Sequence, residues 1–313
     1  MNLEKKFDIG LVNVNIEPLL EYKKYINSFF VGVPFISNCR SNYIYTDRLK
    51  EFIKRCEDIP VWVTMNSPIV QTHEFSILCD TAIGAYKEFG FHGYTVTNIS
   101  LLSVLRDHGI PVKVSTVNDI RDLNDVARFY NAGFKKIVLS YKINRNLDFI
   151  LKCCRDFPEA EFTIIINELC ECDCPFRAGH FISTSLYQEP CFTCGIRQPS
   201  NSELWRTKVL QNCFVPPENL QAFPDKVIFK LPTRMAGYSI EDITKLLRLY
   251  IGLDKYEDIL PFFNHHISLD GLDPLPVNKM IFNYWKNCKN QCYSCKICEN
   301  EVQRISKEKI ENG

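Results

Sequence analysis

Five cysteines crowd one polar stretch of the chain, NELCECDCPFRAGHFISTSLYQEPCFTC at residues 167–194. They form a C-x-C-x-C motif and then a C-x-x-C motif: Cys170, Cys172, Cys174, Cys191 and Cys194. Four thiolates hold either a tetrahedral zinc ion or an iron–sulfur cluster, and the spacing alone leaves both open. Because the stretch has almost no hydrophobic periodicity, we expect a metal-binding loop.

A second group of cysteines lies near the C-terminus in KNCKNQCYSCKICEN. It has the pattern C-x-x-x-C-x-x-C-x-x-C: Cys288, Cys292, Cys295 and Cys298. This close spacing suits a [4Fe–4S] cluster, and a zinc knuckle is the alternative. The first three cysteines also match the C-x-x-x-C-x-x-C pattern of radical S-adenosylmethionine enzymes. That pattern normally follows the first strand of a barrel, whereas here it lies beyond the last predicted strand, so radical chemistry is not favoured.

Composition limits the classes of function. Lys+Arg and Asp+Glu both number 37, so the net charge of zero gives no electrostatic reason to expect a nucleic-acid partner. No apolar run is long enough to span a membrane, and the start MNLEKKFDIG lacks the apolar core of a signal peptide. We therefore expect a cytoplasmic protein. Stable disulfides are rare in that compartment, so the 15 cysteines favour metal binding.

The elements that must position these cysteines alternate between β-rich and helical runs. Eight strand candidates are present: residues 8–14, 29–35, 60–66, 93–98, 111–116, 135–140, 161–167 and 226–232. Runs between or after them, such as residues 46–58 and 239–252, carry apolar residues at helical spacing. Most of the strand candidates are continuous apolar runs, as expected for strands buried on both faces. Eight such units predict a (β/α)8 barrel of the TIM type.

An open doubly wound sheet is the alternative fold. It is disfavoured because GLVNVNIEP, at the end of the first strand candidate, contains no G-x-G-x-x-G turn. The predicted barrel covers residues 1–272, with a cysteine-rich insertion at residues 168–225 between strands 7 and 8. Residues 273–313 are expected to form a small C-terminal segment that carries the second cysteine motif.

Reactive groups of a barrel gather at the carboxyl ends of its strands, where the loops share one face. Cys39 follows the second strand candidate, and the cysteines of residues 167–194 follow the seventh. All six could therefore reach one mouth of the barrel. Four other cysteines fall on predicted helices, where free cysteine packs as a small apolar residue: Cys56, Cys79, Cys153 and Cys154.

Three charged or titratable side chains are candidates for a catalytic role. Arg177 and His180, in CPFRAGH, could support the metal centre or bind an anionic substrate, and histidine exchanges protons near neutral pH. The alternatives are a solvated loop cation and a capping or packed histidine. Arg234 could hold a carboxylate through two hydrogen bonds, or could close the barrel in a structural ion pair. Further polar residues end strands on the same face: Asn66, Asn98, Ser115, Asn118, Ser140 and Glu168.

A series of short motifs runs through residues 8–252. N-x-P follows the third strand, G-x-x-G-x-x-V-x-N surrounds the fourth, S-x-x-N follows the fifth, and G-x-x-x-I-V-L-S spans the sixth. In this order the motifs resemble the collagenase-like peptidase family U32. Further on, KLPTR matches the family's K-hydrophobic-x-x-R segment and places Lys230 and Arg234 at its two positions.

Within that family, the cysteine pattern resembles the iron–sulfur accessory proteins of oxygen-independent ubiquinone hydroxylation. This resemblance implies a [4Fe–4S] cluster with four ligands: Cys39, Cys174, Cys191 and Cys194. Cys170 in place of Cys39 is the main alternative, and Cys172 also competes. The chain departs from the family pattern after the seventh strand, where Asn167-Glu168 replaces the usual His-Gly. The C-terminal cysteines are an addition, so we expect a different substrate.

Three functions follow as hypotheses. The first is an iron–sulfur enzyme, or a subunit of one, that performs a redox modification of a small molecule, such as hydroxylation without dioxygen. The second is a peptidase or a zinc protein, although the sequence has no Ser/His/Asp elbow, no H-E-x-x-H and no obvious Cys–His pair. The third is a non-catalytic protein that relays electrons or recruits a substrate to a paralogous or redox partner, since two cluster motifs in one chain fit electron relay.

Overall fold

The structure is a computed structural model of the chain. It describes residues 3–4, 6–12, 14–34, 43–171, 174–187, 194–234, 239–264 and 267–312.

Eight parallel strands close into a barrel in chain order. They are β1 Phe7–Leu11, β2 Ile26–Val31, β3 Val61–Met65, β4 Gly93–Val96, β5 Val112–Val114, β6 Lys136–Val138, β7 Glu161–Ile165 and β8 Val227–Leu231. Closure comes from β8 pairing with β1, where Phe7 lies opposite Phe229. The predicted (β/α)8 barrel is confirmed. The pairing of β2 begins at Ile26, before the predicted residue 29, because residues 26–28 run alongside β1.

Helices follow the strands and also form parts of the insertion and of the C-terminal segment. They are α1 Glu17–Leu20, α2 Thr46–Arg55, α3 Phe75–Phe89, α4 Ile99–Asp107, α5 Leu123–Asn131, α6 Leu147–Asp156, α7 Arg177–Tyr187, α8 Glu203–Gln211, α9 Pro217–Leu220, α10 Ile240–Tyr250, α11 Ile281–Trp285 and α12 Ile297–Asn312. The predicted helical runs at residues 46–58 and 239–252 correspond to α2 and α10. Cys79, Cys153 and Cys154 are buried on helices and Cys56 is buried at a helix end, as predicted.

Strand side chains alternate between the helices and the barrel interior. Those that face the helices are apolar and join one continuous core, as in Phe7, Ile9, Phe29, Val63 and Phe162. Several interior positions are polar although fully buried, as in Asp8, Ser28, Thr64 and Lys113. The large apolar core therefore lies between barrel and helices, which leaves the interior available for charged groups.

Polar caps fix where the chain leaves the mouth of the barrel and enters a helix. Asn98 follows β4 and accepts a hydrogen bond from Leu101 N at 3.0 Å at the start of α4. Ser239 and Asp242 form a reciprocal capping box at the start of α10. Such caps satisfy backbone N–H groups that have no partner within the helix. They hold the strand-to-helix loops, and the side chains on them, in defined positions.

The insertion between β7 and β8 contains helices, so the predicted loop over residues 167–194 is wrong in part. Residues 177–187 of that stretch form α7. The hydroxyls of Thr184 and Ser185 donate to the carbonyls of His180 and Phe181 one turn earlier, at 2.8 and 2.6 Å. Because these hydroxyls form hydrogen bonds within the helix, polar residues are tolerated at buried and half-buried helical positions. The stretch therefore lacks the apolar spacing by which a helix is predicted from sequence.

Residues 273–312 pack against the barrel and the insertion. The ring of Trp285 in α11 lies edge-on to Phe214, with centroids 6.2 Å apart, and Val302 and Ile305 of α12 join the same core. The domain boundary at residue 273 stays a prediction. Among the described residues, no helix combines the length and apolar character required to cross a membrane.

Candidate metal and substrate site

A polar cavity of about 50 Å³ opens at the carboxyl ends of the strands, and we call it the mouth cavity. Its walls come from six of the strands or the loops after them and from α7. The lining residues are Phe30, Thr64, Asn66, Thr95, Ser115, Thr116, Val117, Ile165, Glu168, Arg177, Phe181, Lys230, Pro232 and Arg234. This is the face of a (β/α)8 barrel on which substrates bind.

Two buried cations from β8 and the residues after it point into the mouth cavity. Lys230 is 7% exposed, and its ammonium lies 3.9 Å from the centre of the Phe30 ring. Arg234 is 3% exposed and donates a hydrogen bond from Nη1 to Thr64 Oγ1. A Cβ on Gly10 would lie 2.7 Å from Phe30 and 2.9 Å from Arg234, so only glycine lets both side chains approach β1 this closely.

A smaller cavity of about 40 Å³ adjoins the mouth cavity and contains thiols, and we call it the thiol cavity. Its lining comprises Glu168, Cys170, Cys174, Arg177, His180, Phe181, Cys194, Ile196 and Arg197. Six of the residues predicted from the sequence are thus brought together, namely Glu168, Cys170, Cys174, Arg177, His180 and Cys194. Three further predicted ligands, Cys39, Cys172 and Cys191, lie outside the described residues.

The two cavities share one wall made of Glu168, Arg177 and Phe181. The Arg177 guanidinium lies 3.6 Å from the centre of the Tyr141 ring and 5.1 Å from that of Phe181. Within the described part of the chain, its Nη1 atom is buried without a hydrogen-bond partner. Arg177 is therefore not a solvated loop cation. It presents a positive charge and an unused N–H donor at the boundary between thiols and substrate space.

Burial controls the protonation of the Cys170 thiol. Loss of solvent raises its pKa to about 12, and the Glu168 carboxylate adds to that rise while the Arg177 guanidinium opposes it. The Glu168 Oε1 atom also accepts a hydrogen bond from Cys170 N at 3.2 Å. A free thiol in this position is protonated at neutral pH. A thiophilic metal would displace that proton, since thiolate is the form that binds metals.

The donor chemistry of the thiol cavity fits a thiophilic metal group, because three cysteines line it together with only one carboxylate. Among the residues that the structure describes, however, no three His, Cys, Asp or Glu side chains converge tightly enough to hold one metal ion. The predicted tetrad needs at least one of the cysteines at 39, 172 and 191, so its ligand set stays a prediction.

The C-terminal cysteines line a separate cavity of about 240 Å³, the C-terminal cavity. Cys288, Cys292, Cys295 and Cys298 all border it, together with Arg145 and Trp285. Neither Arg145 nor Trp285 was predicted from the sequence. Arg145 follows β6 on the face where strands end, and Trp285 precedes Cys288 by three residues. Their positions in the sequence could therefore have indicated that both lie near a functional site.

The polar residues predicted at strand ends divide into two groups. Asn66, Ser115 and Glu168 line the mouth cavity, as the sequence indicated. Asn98 and Ser140 instead accept backbone N–H groups, from Leu101 and Lys142, at the starts of the segments that follow β4 and β6. Asn118 donates from Nδ2 to Ser115 O at 3.3 Å in the turn after β5. These three residues hold the loops and are not part of the cavity lining.

The fold and these cavities define a (β/α)8 barrel protein with a cationic, cysteine-flanked mouth. Comparisons with known proteins give a more specific relationship. Residues 22–148 match the sequence model of peptidase family U32. The chain is also 23% identical over 239 residues to the uncharacterized protease MJ1657 of Methanocaldococcus jannaschii, an alignment that covers 71% of this chain and 69% of that protein.

A solved structure shows the same fold. The U32 peptidase Mk0906 superposes with a TM-score of 0.51 and 14% identity, over 72% of this chain and 92% of that one. At this identity the likeness concerns the fold alone. The match of residues 22–148 to the family model and the similarity to MJ1657 agree with the U32 resemblance that the sequence motifs indicated.

Proposed function

We propose that this chain binds an iron–sulfur cluster at the barrel mouth, next to a pocket for a small anionic molecule, and takes part in a redox modification of that molecule. The observation that carries the proposal is the shared wall of Glu168, Arg177 and Phe181 between the thiol cavity and the mouth cavity. A redox group in one cavity would lie one side chain away from a substrate in the other.

The cluster ligands would come from both sides of α7. Cys170 and Cys174 precede this helix and Cys194 follows it, and all three line the thiol cavity. The remaining ligand would be Cys39, Cys172 or Cys191. A bound [4Fe–4S] cluster supplies single electrons at this position, and its potential depends on burial and on N–H donors near its sulfur atoms. With a cluster bound in the thiol cavity, the buried Nη1 of Arg177 would be such a donor.

The charge of the mouth cavity indicates the substrate class. Arg177, Lys230 and Arg234 contribute three cations to its lining, against the single carboxylate of Glu168. A guanidinium binds a carboxylate or a phosphate with two parallel hydrogen bonds. Burial strengthens such contacts because the local dielectric is low. The pocket therefore suits a small molecule with at least one anionic group.

The family resemblance adds the type of chemistry. The cysteine pattern is similar to that of the accessory proteins of oxygen-independent ubiquinone hydroxylation, and Lys230 and Arg234 stand at positions of the family motif. We infer an oxidoreductase of the hydroxylase type, or the cluster-bearing subunit of one. In the second case a paralogous or redox protein completes the reaction.

A thiol peptidase is the second candidate, because His180 shares the thiol cavity with three cysteines and the relative MJ1657 is named a protease. A nucleophilic cysteine requires a lowered pKa and an adjacent base. Burial instead raises the pKa of Cys170 to about 12. That direction disfavours Cys170 as the nucleophile.

The test is metal analysis after anaerobic purification, with Cys174→Ala and Cys194→Ala as the site variants. Cys79→Ala is the matched control, since Cys79 is a buried cysteine on α3 that lines neither cavity. We expect both site variants to lose about four iron atoms and four sulfides per chain, and the control to lose none. Equal iron in all proteins, or peptide hydrolysis that Cys174→Ala abolishes, would refute the proposal.

A further inference from the structure

The C-terminal cavity is built from elements far apart in the chain. Its lining combines the four cysteines at residues 288–298 with Arg145, Gln211 and Trp285. Its volume of about 240 Å³ far exceeds that of the thiol cavity. The function proposed above uses none of these groups.

Two buried N–H donors in this lining have no hydrogen-bond acceptor in the described part of the chain. They are Trp285 Nε1 and Arg145 Nη2. Both residues are 2% exposed, and the guanidinium lies 3.9 Å from the centre of the indole ring. The remaining donors of Arg145 are used, since Nε donates to Phe214 O at 2.5 Å and Nη1 to Leu210 O at 3.0 Å. Buried donors without acceptors are rare in folded proteins and indicate a missing partner.

The donors belong to a cavity that all four C-terminal cysteines also line, so sulfur is the partner available to them. The Cys298 thiol donates to Leu210 O at 3.5 Å, and the same carbonyl accepts from Arg145 Nη1 at 3.0 Å. The Arg145 guanidinium therefore lies close to the Cys298 sulfur. A cation and an N–H group beside a set of cysteines is the environment that stabilises metal-bound thiolates.

The loop that carries the cysteines is held in place by the barrel. Leu147 N donates to Lys286 O at 3.0 Å, and Asp148 N donates to Asn287 Oδ1 at 3.1 Å. Asn290 turns the chain with a φ of 57°, a left-handed conformation that asparagine tolerates, and its side chain donates to Lys142 O. This turn between Cys288 and Cys292 directs both cysteines to one cavity.

We propose that Cys288, Cys292, Cys295 and Cys298 bind a [4Fe–4S] cluster in the C-terminal cavity, with Trp285 and Arg145 donating N–H groups to its sulfur atoms. A zinc ion would require four sulfur atoms around one point, about 2.3 Å from the metal. Among the described residues no three such ligands lie close enough to hold one metal ion. All four thiols border one cavity of about 240 Å³, which has room for a group larger than a single ion. The site does not depend on the function proposed for the barrel mouth.

The test uses the full chain with Cys174→Ala and Cys194→Ala already in place, so that the mouth site does not contribute iron. The apoprotein is reconstituted anaerobically with ferrous iron and sulfide, or with zinc alone, and metal and sulfide are measured per chain. Cys295→Ala is the ligand variant, because Cys295 is exposed and its loss disturbs packing least. We expect about four iron atoms and four sulfides per chain, lost on Cys295→Ala. Uptake of one zinc with no iron and sulfide, or of no metal at all, would overturn the proposal.

Trp285→Phe tests the role of the indole donor, with Trp205→Phe as the control. Trp205 is also buried and donates from Nε1 to Ile196 O at 3.0 Å, but it does not line the C-terminal cavity. Loss of an N–H donor to sulfur makes the cluster harder to reduce. We expect Trp285→Phe to retain the iron and sulfide but to lower the midpoint potential, and Trp205→Phe to leave the potential unchanged. Equal midpoint potentials in Trp285→Phe and Trp205→Phe would refute the role of Trp285. Uptake of zinc in preference to iron and sulfide would refute the cluster. Both conclusions hold whichever result the barrel-mouth variants give.

Discussion

Lys113 and Asp8 form an ion pair of 2.7 Å inside the barrel, with each side chain only 3% exposed. The pair joins β5 to β1 across the interior. Asp8 Oδ1 also accepts hydrogen bonds from Ser28 Oγ at 2.5 Å and Asn27 Nδ2 at 2.8 Å. The Lys113 ammonium lies 4.8 Å from the centre of the Trp62 ring. A buried charge needs such partners, because removal from water is costly for each ion on its own.

Removal of one member of this pair should therefore destabilise the barrel strongly. Lys113→Met leaves the Asp8 carboxylate buried without its counter-ion, and we expect a loss of about 3–5 kcal/mol in the free energy of unfolding. Urea denaturation measures the loss. Lys50→Met is the control, since Lys50 pairs with Glu88 at 3.2 Å on the surface, where such pairs contribute little. The double variant Asp8→Asn/Lys113→Met should recover part of the loss, and no recovery would contradict a specific pairing.

The same pair predicts how stability depends on pH. Burial alone would raise the pKa of Asp8, but the Lys113 charge and the hydrogen bonds from Lys113, Ser28 and Asn27 together hold it below its ordinary value of 3.8. A carboxyl whose pKa is lower in the folded state stabilises the fold above the unfolded pKa. That stabilisation is lost as the pH falls through the folded value.

We therefore expect the native chain to lose stability faster below about pH 4 than Asp8→Asn/Lys113→Met does. Urea midpoints measured at intervals from pH 7 down to the acid transition make the comparison. The other carboxyls are common to both proteins, so the difference isolates Asp8. Parallel curves for the two proteins would show that Asp8 has no lowered pKa.

Gly93 is crowded and Gly84 is open to solvent, so substitution by alanine should have opposite effects on stability at these two positions. A Cβ on Gly93 in β4 would lie 2.3 Å from the backbone oxygen of Pro111 and 2.9 Å from the Trp62 ring. Gly93→Ala must push strands apart, and we expect a loss of about 1–3 kcal/mol or more in unfolding free energy. Gly84 is exposed on α3 with nothing within 4 Å of such a Cβ, so Gly84→Ala should gain about 0.5–1 kcal/mol. Thermal or urea denaturation compares them, and a stable Gly93→Ala would contradict this account.

The strands could be predicted from the sequence because burial on both faces leaves short, mostly apolar runs bounded by turns. Asp8 and Lys113 stand within such runs, and nothing local indicates that they meet, since 105 residues separate them. The position of Cys170, Cys174 and Cys194 at the mouth followed from the strand order alone. α7 was not predicted because its Ser and Thr residues interrupt the apolar spacing of a helix, and their hydroxyls form hydrogen bonds within the helix instead. Arg145 and Trp285 meet only when residues 273–312 pack on the barrel, a contact that periodicity does not encode.

The last prediction concerns which thiols react with iodoacetamide at pH 8. Burial raises the pKa of both Cys56 and Cys153 to about 12, so only about 1 in 10⁴ of each is thiolate at that pH. Both should stay unmodified until urea unfolds the chain.

Cys295 is exposed and should react readily in the metal-free protein. If Cys295 binds the cluster proposed above, anaerobic reconstitution with iron and sulfide should protect it, because its sulfur is then coordinated. Cys292→Ala lacks one ligand and should leave Cys295 reactive after the same treatment. Peptide mass spectrometry measures each site, and alkylation of Cys295 at the same rate before and after reconstitution would exclude it as a ligand.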